Sequence, residues 1–261
     1  MPAIIFDKYH GAGNDFVMLD MTKTPYELDT ATVARLCDRR FGIGGDGLIA
    51  LCKSAVGDFK MRYYNSDGRE ASFCGNGSRC SVAFAYDKGI ITRDDTLFEA
   101  YDGLHHADII ACQGGTKTVR MEMRDARATM HDGFILVDTG SPHYVTPVDD
   151  LEALDVKATG AKIRYDKGIS ADGVNVDFII FDGETIHIRT YERGVEDETL
   201  ACGTGVTAAA IATAIWEGGE HFKVKARGGD LEVSLKRDNL TFSKITLTGP
   251  ACKVFHGETN I

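Results

Sequence analysis

The chain has 261 residues, of which 43% are hydrophobic, and its formal net charge is -10. This length suits one large domain or two of ordinary size, and the apolar fraction is enough to fill a soluble globular core. The negative charge disfavours a phosphate backbone or an anionic membrane surface as a partner, so neither nucleic acid nor membrane is expected. The N-terminal residues show no basic leader, and we expect a cytoplasmic protein.

In chain order, short apolar or alternating runs bounded by Gly, Asp and Asn predict strands. These runs are GLIALC, KMRYYN, VDFIIF, TIHIRTY, LEVSL and ITLTG. TATVARLCDRR has a helical pattern, and two further helices are predicted from Gly77 to Gly89 and from Gly205 to Gly218, with the last glycine of each as its stop. The second is rich in Ala on nearly every face, which favours a helix enclosed by sheet.

Segments of the first half recur in the same order in the second half. Matching positions are Cys74 and Cys202, 128 apart, Tyr64 and Tyr191, 127 apart, and Asp46 and Asp172, 126 apart. A period of this length predicts duplicated domains. We expect an α+β fold of two pseudo-symmetric halves, each with a curved, barrel-like mixed or antiparallel sheet around a central helix, and an active site in the cleft between them. The predicted halves are residues 1–125, with about 253–261 returning as a closing strand, and residues 126–252.

FGIGGDG contains the spacing of a dinucleotide fingerprint at Gly42, Gly44 and Gly47. A helical pattern precedes these glycines and a strand pattern follows, the reverse of the order in which a helix N-terminus holds a pyrophosphate. We interpret the segment as a turn into a strand. His105 and His106 are adjacent and would face opposite sides of a strand, so no metal site is predicted.

Seven cysteines, without C-x-x-C spacing, predict free thiols in a long chain of this kind. Cys74 in CGNG and Cys202 in CGTG each precede a predicted helix at matching places of the repeat. A thiol at a helix N-terminus meets unpaired N–H groups and the positive end of the dipole, which lowers its pKa. The glycines allow close approach of a ligand, and the backbone amides of Gly75, Asn76, Gly203 and Thr204 are suited to a carboxylate. A single such turn is usually only a helix start, but two at equivalent positions favour chemistry.

Two acid/base groups on opposite faces of one carbon can invert a chiral centre, because one removes a proton while the other returns one. A duplicated domain supplies two such groups. Donors from two helix N-termini would stabilise the charge that develops on the substrate carboxylate, and a dry cleft would strengthen them.

The motifs KYHGAGNDF, GIGGDG, NSDG, CGNG, SPH and YERGVEDETLACGTG, in this order over nearly the whole chain, resemble those of the diaminopimelate epimerase family, within the cofactor-independent two-cysteine racemase superfamily. The resemblance implies interconversion of LL- and meso-diaminopimelate for lysine and peptidoglycan synthesis, without pyridoxal phosphate, metal or other cofactor, and a homodimer. It implies that Cys74 and Cys202 are the acid/base residues and that His143 and Glu192 tune them. The implied substrate contacts are Asn14, Asn65, Gly75, Asn76, Asn175, Glu192, Arg193, Gly203 and Thr204.

This chain departs from the commonest family pattern at three places. Ser141 stands where many members have Asn, Gly47 stands where many have Gln, and GVEDET is one residue longer. Two other functions remain open at this stage. One is racemisation of another amino acid, as in the proline and hydroxyproline racemases, which have His where this chain has Asn76. The other, of a different class, is a cysteine pair that acts as a redox sensor or in a ligand-binding protein.

Overall fold

The computed structural model describes residues 3–71 and 74–260, which form two compact units. The first unit comprises residues up to Met121 and residues from Gly249 onward, and the second comprises Glu122–Thr248. Its longest helix has 14 residues, and no helix within the described ranges has the length and apolarity to cross a membrane.

The first unit is an eight-stranded closed barrel. Its elements are β1 (Ile4–Gly11), β2 (Asn14–Asp20), α1 (Thr30–Cys37), β3 (Gly47–Cys52), β4 (Phe59–Asn65), α2 (Gly75–Asp87), β5 (Asp95–Ala100), β6 (Gly103–Gln113) and β7 (Thr116–Glu122). Neighbours in the chain pair in turn, with β2/β3 and β4/β5 parallel and the others antiparallel. The C-terminal part of β16 (Thr241–Thr259) pairs with both β7 and β1 and closes the ring.

The second unit repeats this architecture. Its elements are β8 (Ala126–His131), β9 (Phe134–Asp138), β10 (Pro142–Pro147), α3 (Val156–Arg164), β11 (Asn175–Phe181), β12 (Thr185–Glu192), β13 (Asp197–Thr199), α4 (Gly203–Trp216), β14 (His221–Ala226), β15 (Gly229–Asp238) and the first part of β16. The parallel pairs are β10/β11 and β12/β14, β13 pairs with β12, and β16 closes the ring on β8. The structure confirms the predicted α+β class and the barrel-like sheets.

Each barrel has one helix inside and one outside because its strands are apolar on both faces. In β2, Phe16 and Met18 pack in the cluster that contains α2, whereas Val17 and Leu19 pack in the cluster that contains α1. The inner helix α2 is buried from Gly75 to Ala85, and α4 is buried over most of its length. The sequence prediction of an enclosed helix is therefore confirmed.

The inner helices begin two residues earlier than predicted, at Gly75 and Gly203. The cysteines before them adopt extended backbone and act as N-caps, so the glycines that resemble a turn already belong to the first helical turn. The predicted stops are confirmed. Gly89 and Gly218 follow the C-caps with φ of 66° and 83°, the left-handed conformation that ends many helices.

Candidate active site

Cys74 is the centre of a polar group at the start of α2. Its sulfur accepts a hydrogen bond from the amide of Gly77 at 3.4 Å, which caps the helix. Its thiol also donates to Asn14 Oδ1 at 3.8 Å, and Asn76 Nδ2 donates to the same oxygen at 3.3 Å. The structure thus brings together three residues predicted for the site.

Glycine at position 11 allows the end of β1 to approach this turn. A β-carbon there would lie 2.9 Å from the carbonyl oxygen of Asn76, closer than side-chain carbons pack against backbone. Gly11 therefore permits the close contact between the end of β1 and the first turn of α2.

Asp46 does more than form the predicted turn before glycine. Its carboxylate accepts from Asn14 Nδ2 at 2.8 Å and from Arg39 Nη2 at 2.7 Å. These bonds fix the orientation of the Asn14 amide, with its oxygen directed to Cys74. A sequence pattern does not reveal this contact, because Asp46 and Asn14 are 32 positions apart.

Asn65 and Gly47 lie opposite each other on β4 and β3. Asn65 is exposed, and its backbone amide donates to the carbonyl of Arg69. A β-carbon at Gly47 would lie 2.5 Å from the carbonyl oxygen of Tyr64 and 2.7 Å from the ring of Tyr63. The structure therefore has no room for a longer side chain at position 47 without movement of β4.

Cys202 is the centre of the matching group at the start of α4. Its sulfur lies 3.3 Å from Thr204 Oγ1, which lies 2.9 Å from His143 Nε2. His143 Nδ1 lies 2.7 Å from Asp177 Oδ2, and Asp177 Oδ1 accepts from Thr190 at 2.7 Å. His143 and Asp177 are fully buried. The four groups from the thiol to the Asp177 carboxylate form one continuous hydrogen-bonded chain.

The tautomer of His143 follows from its partners. A carboxylate only accepts, so Nδ1 carries a proton and donates to Asp177. In neutral His143, Nε2 is then the acceptor, and it accepts from the hydroxyl of Thr204. That leaves Thr204 Oγ1 as the acceptor for the thiol of Cys202, so the chain runs as donor to acceptor from Cys202 inward.

The predicted low pKa of Cys202 is wrong for this structure. Burial raises the pKa of the Cys202 thiol well above its ordinary range, and the carboxylates of Glu192 and Asp177 raise it further. The Thr204 hydroxyl would lower this pKa only by donating to the sulfur, and in the hydrogen-bonded chain described above it donates to His143 instead. Cys202 is therefore a protonated thiol at neutral pH, and the tuning role of Glu192 stays a prediction.

Asn175 joins three other groups next to His143. Its amide nitrogen donates to Ser141 Oγ at 2.7 Å and lies 3.3 Å from His143 Nε2, and its oxygen accepts from the backbone amide of Arg193 at 2.8 Å. The Arg193 guanidinium donates to the carbonyl of Gly173 at 3.3 Å and to Ser141 Oγ at 3.5 Å. Ser141, which departs from the family pattern, is thus the common acceptor for Asn175 and Arg193.

Asp177 is the main residue of this group that the sequence analysis missed. It lies in the apolar run VDFIIF, which predicts only a buried strand. The available signal was the acidic residue itself, because a carboxylate in a strand buried on both faces needs a specific partner.

The fold is shared with solved structures of low sequence identity. A phenazine biosynthesis protein of the PhzF family from Bacillus anthracis has a TM-score of 0.78 and 16% identity, with 100% of both chains covered. A hydroxyproline epimerase from Agrobacterium vitis has a TM-score of 0.72 and 16% identity, with 98% of this chain and 92% of that chain covered. At these identities the likeness defines the fold class, which these two kinds of protein share.

Sequence comparison is more specific. The family model described as Diaminopimelate epimerase matches residues 6–128 and again residues 135–254, which confirms the internal duplication. A diaminopimelate epimerase from Flavobacterium psychrophilum is 47% identical over 97% of this chain and 98% of its own length. One from Chlorobaculum tepidum is 41% identical over 95% of this chain and 98% of its own length. The chain belongs to the diaminopimelate epimerase family.

Proposed function

We propose that the protein interconverts LL-2,6-diaminopimelate and meso-diaminopimelate by a two-base mechanism in which Cys74 and Cys202 are the acid/base residues. The observation that carries this proposal is the pair of N-cap cysteines at equivalent places of a duplicated fold, in a chain of the diaminopimelate epimerase family. Neither a core cysteine nor an incidental helix start requires this arrangement twice.

Inversion needs one thiolate and one thiol at the moment of reaction. In the direction in which the Cys74 thiolate removes the α-proton, the Cys202 thiol gives its proton to the other face of the carbanion. The high pKa of Cys202 supports this assignment of the resting state, because burial keeps its proton in place. In the reverse direction the two residues exchange roles.

The hydrogen-bonded chain behind Cys202 provides for that exchange. When Cys202 must act as a base, its proton can pass to Thr204 while the Thr204 hydroxyl proton passes to His143 Nε2. The resulting imidazolium is stabilised by the buried carboxylate of Asp177 at 2.7 Å. His143 thus tunes Cys202 through Thr204, and Glu192 disfavours the thiolate until substrate binds.

The reacting carboxylate is proposed to bind at the helix N-termini. First-turn amides of an α-helix have no intrahelical acceptor and lie at the positive end of the dipole. The backbone amides of Gly75, Asn76, Gly203 and Thr204 belong to these turns. They would also stabilise the negative charge that accumulates on the carboxylate as the α-proton leaves.

The distal amino acid end of the substrate is assigned to Asn14, Asn65, Asn175 and Arg193. Among the described residues, the partners of the Arg193 guanidinium are a carbonyl and a hydroxyl, and no carboxylate pairs with it. A guanidinium in this state is suited to a substrate carboxylate, which it can bind in a bidentate fork.

The test is incubation of the purified protein with LL-diaminopimelate in deuterium oxide, under reducing conditions and without added cofactor. We expect α-deuterium by mass spectrometry in the wild type, and less than about 1% of that rate in Cys74→Ala and Cys202→Ala. Exchange into proline instead would assign the protein to another racemase class. No exchange into either amino acid would favour a redox or ligand-binding role for the cysteines.

We further propose that the protein acts as a cytoplasmic homodimer and supplies lysine and peptidoglycan synthesis. The family resemblance supports the dimer and the metabolic role. Sedimentation equilibrium at micromolar concentration should give twice the chain mass of 28.4 kDa, and a mass of one chain would contradict the dimer.

A further inference from the structure

Arg79 is a fully buried arginine within α2. Its Nη2 donates to Asn76 Oδ1 at 2.8 Å, Nη1 donates to the carbonyl of Gly75 at 3.5 Å, and Nε donates to the carbonyl of Pro250 at 3.5 Å. All three acceptors are neutral, and within residues 3–71 and 74–260 no carboxylate forms an ion pair with Arg79. An uncompensated buried charge is costly, so a role beyond packing is expected for it.

The guanidinium determines how two asparagine amides are oriented. Arg79 only donates, so it takes the oxygen of Asn76 and leaves the Asn76 nitrogen to donate to Asn14 Oδ1. At the other end Asp46 only accepts, so it takes the Asn14 nitrogen. Because Arg79 only donates at one end of this chain and Asp46 only accepts at the other, both amides have a fixed orientation. The Asn14 oxygen is therefore held toward the Cys74 thiol.

The charge of Arg79 also acts on Cys74. Burial lowers the pKa of Arg79, and negative charge on Cys80 or Cys74 raises it. Because an electrostatic interaction is mutual, the guanidinium stabilises a Cys74 thiolate by the same amount. The equivalent position in α4 is Thr207, whose hydroxyl donates to the carbonyl of Gly203, so enclosure of a helix in this fold does not itself require an arginine.

We propose that Arg79 is a positioning residue for Cys74. Its guanidinium fixes the Asn76 and Asn14 amides, which gives the resting Cys74 thiol its acceptor, and its uncompensated charge stabilises the thiolate against that hydrogen bond when Cys74 removes the substrate proton. The catalytic consequence rests on the proposed epimerase function, but the effect on the thiol does not.

The experiment measures alkylation of Cys74 by iodoacetamide between about pH 6 and 10, quantified for each cysteine by peptide mass spectrometry. Arg79→Met should lower the Cys74 rate near pH 7 by about tenfold or more and move the profile to higher pH by about one unit. Arg79→Lys, which keeps the charge, should recover most of the rate. The exposed Cys112 is the internal reference and should react equally in all variants.

Ser81→Ala is the matched control, because Ser81 is a buried polar residue of the same helix whose hydroxyl donates to the carbonyl of Gly77. It should leave the Cys74 profile unchanged. A folded Arg79→Met protein with the wild-type profile would overturn the proposal. If Arg79→Met does not fold, Arg79→Gln provides the same test, and Arg79→Lys provides a second one. A Cys74 profile in Arg79→Lys that is shifted as far as in the neutral variant would also overturn it.

Epimerisation is measured separately on the same proteins. A shifted Cys74 profile in Arg79→Met, with no exchange in the wild type, would refute the epimerase function and leave the role of Arg79 standing. Deuterium exchange in the wild type, together with an unshifted Cys74 profile in Arg79→Met, would support the epimerase function and refute the role of Arg79. In an active enzyme we expect Arg79→Met to lower kcat more than it raises KM, because the thiolate is needed for proton removal.

Discussion

Gly205→Ala probes the buried hydrogen-bonded chain behind Cys202 with a single methyl group. A β-carbon at position 205 would lie 2.5 Å from Asp177 Oδ1 and 3.3 Å from His143 Cε1. The carboxylate must move, yet both of its oxygens are engaged, one with Thr190 and one with His143, each at 2.7 Å. Two hydrogen bonds to a charged group contribute about 3–6 kcal/mol together. Alanine in place of glycine favours a helix by about 1 kcal/mol, so we expect the free energy of unfolding of Gly205→Ala to be about 2–5 kcal/mol lower than that of the wild type.

The matched control is Gly77→Ala at the equivalent position of α2. A β-carbon there would meet Ile49 Cδ1 at 2.8 Å and Met61 Cε at 3.4 Å, the ends of flexible side chains that can rotate away. Its stability should stay within about 1 kcal/mol of the wild type. Urea unfolding followed by circular dichroism measures both variants, and deuterium exchange measures activity. A Gly205→Ala protein as stable and as active as Gly77→Ala would refute the assigned role of the Asp177 carboxylate.

Two further predictions concern Arg193 and Cys202. Arg193→Met should lower kcat/KM for diaminopimelate by at least roughly 30-fold, since loss of a charge-assisted pair in a closed site costs about 2–5 kcal/mol; a change of less than about threefold would remove Arg193 from the distal site. Alkylation of Cys202 in the ligand-free protein should rise with pH and show no plateau below pH 9.0, because its pKa lies well above that value. An alkylation rate that reaches its plateau near neutral pH would contradict the burial of Cys202. The contribution of this thiol to the free energy of unfolding is present below the ordinary thiol pKa and is lost as pH rises through the pKa of the folded protein.

Patterns of local sequence predicted the parts of the fold that local physics determines. Apolar runs predicted strands, and Gly89 and Gly218 marked helix ends, because a residue after a C-cap commonly adopts positive φ. Helix α3 was missed, since its nine residues bury only Val156 and Gly160 and show little apolar periodicity. The internal repeat contained the information needed to predict α3. Asp155 caps α3 as Asp29 caps α1, at the same offset of 126 positions as the Asp-Gly turns.

The chemistry of the site was predictable only in part. The positions of Cys74 and Cys202 before helices follow from the Cys-Gly motifs, and the structure confirms them as N-caps. The protonation of Cys202 was mispredicted because a helix dipole is a local effect, whereas desolvation depends on every segment packed around the thiol. Asp177 and Arg79 were missed for the same reason. Their importance lies in contacts and burial that the tertiary fold creates.

The last strand has a consequence for biosynthesis. Residues 122–248 are contiguous, so the second barrel has all its strands as soon as they leave the ribosome. The first barrel is closed by residues 252–259 of β16, which pair with β1 and are translated only after the second unit. Until then β1 and β7 expose open edges that are prone to non-native pairing. The order of completion is therefore the reverse of the usual N-terminal-first order, because a nascent chain that has emerged only to residue 248 has all the strands of the second unit and an unsealed first unit.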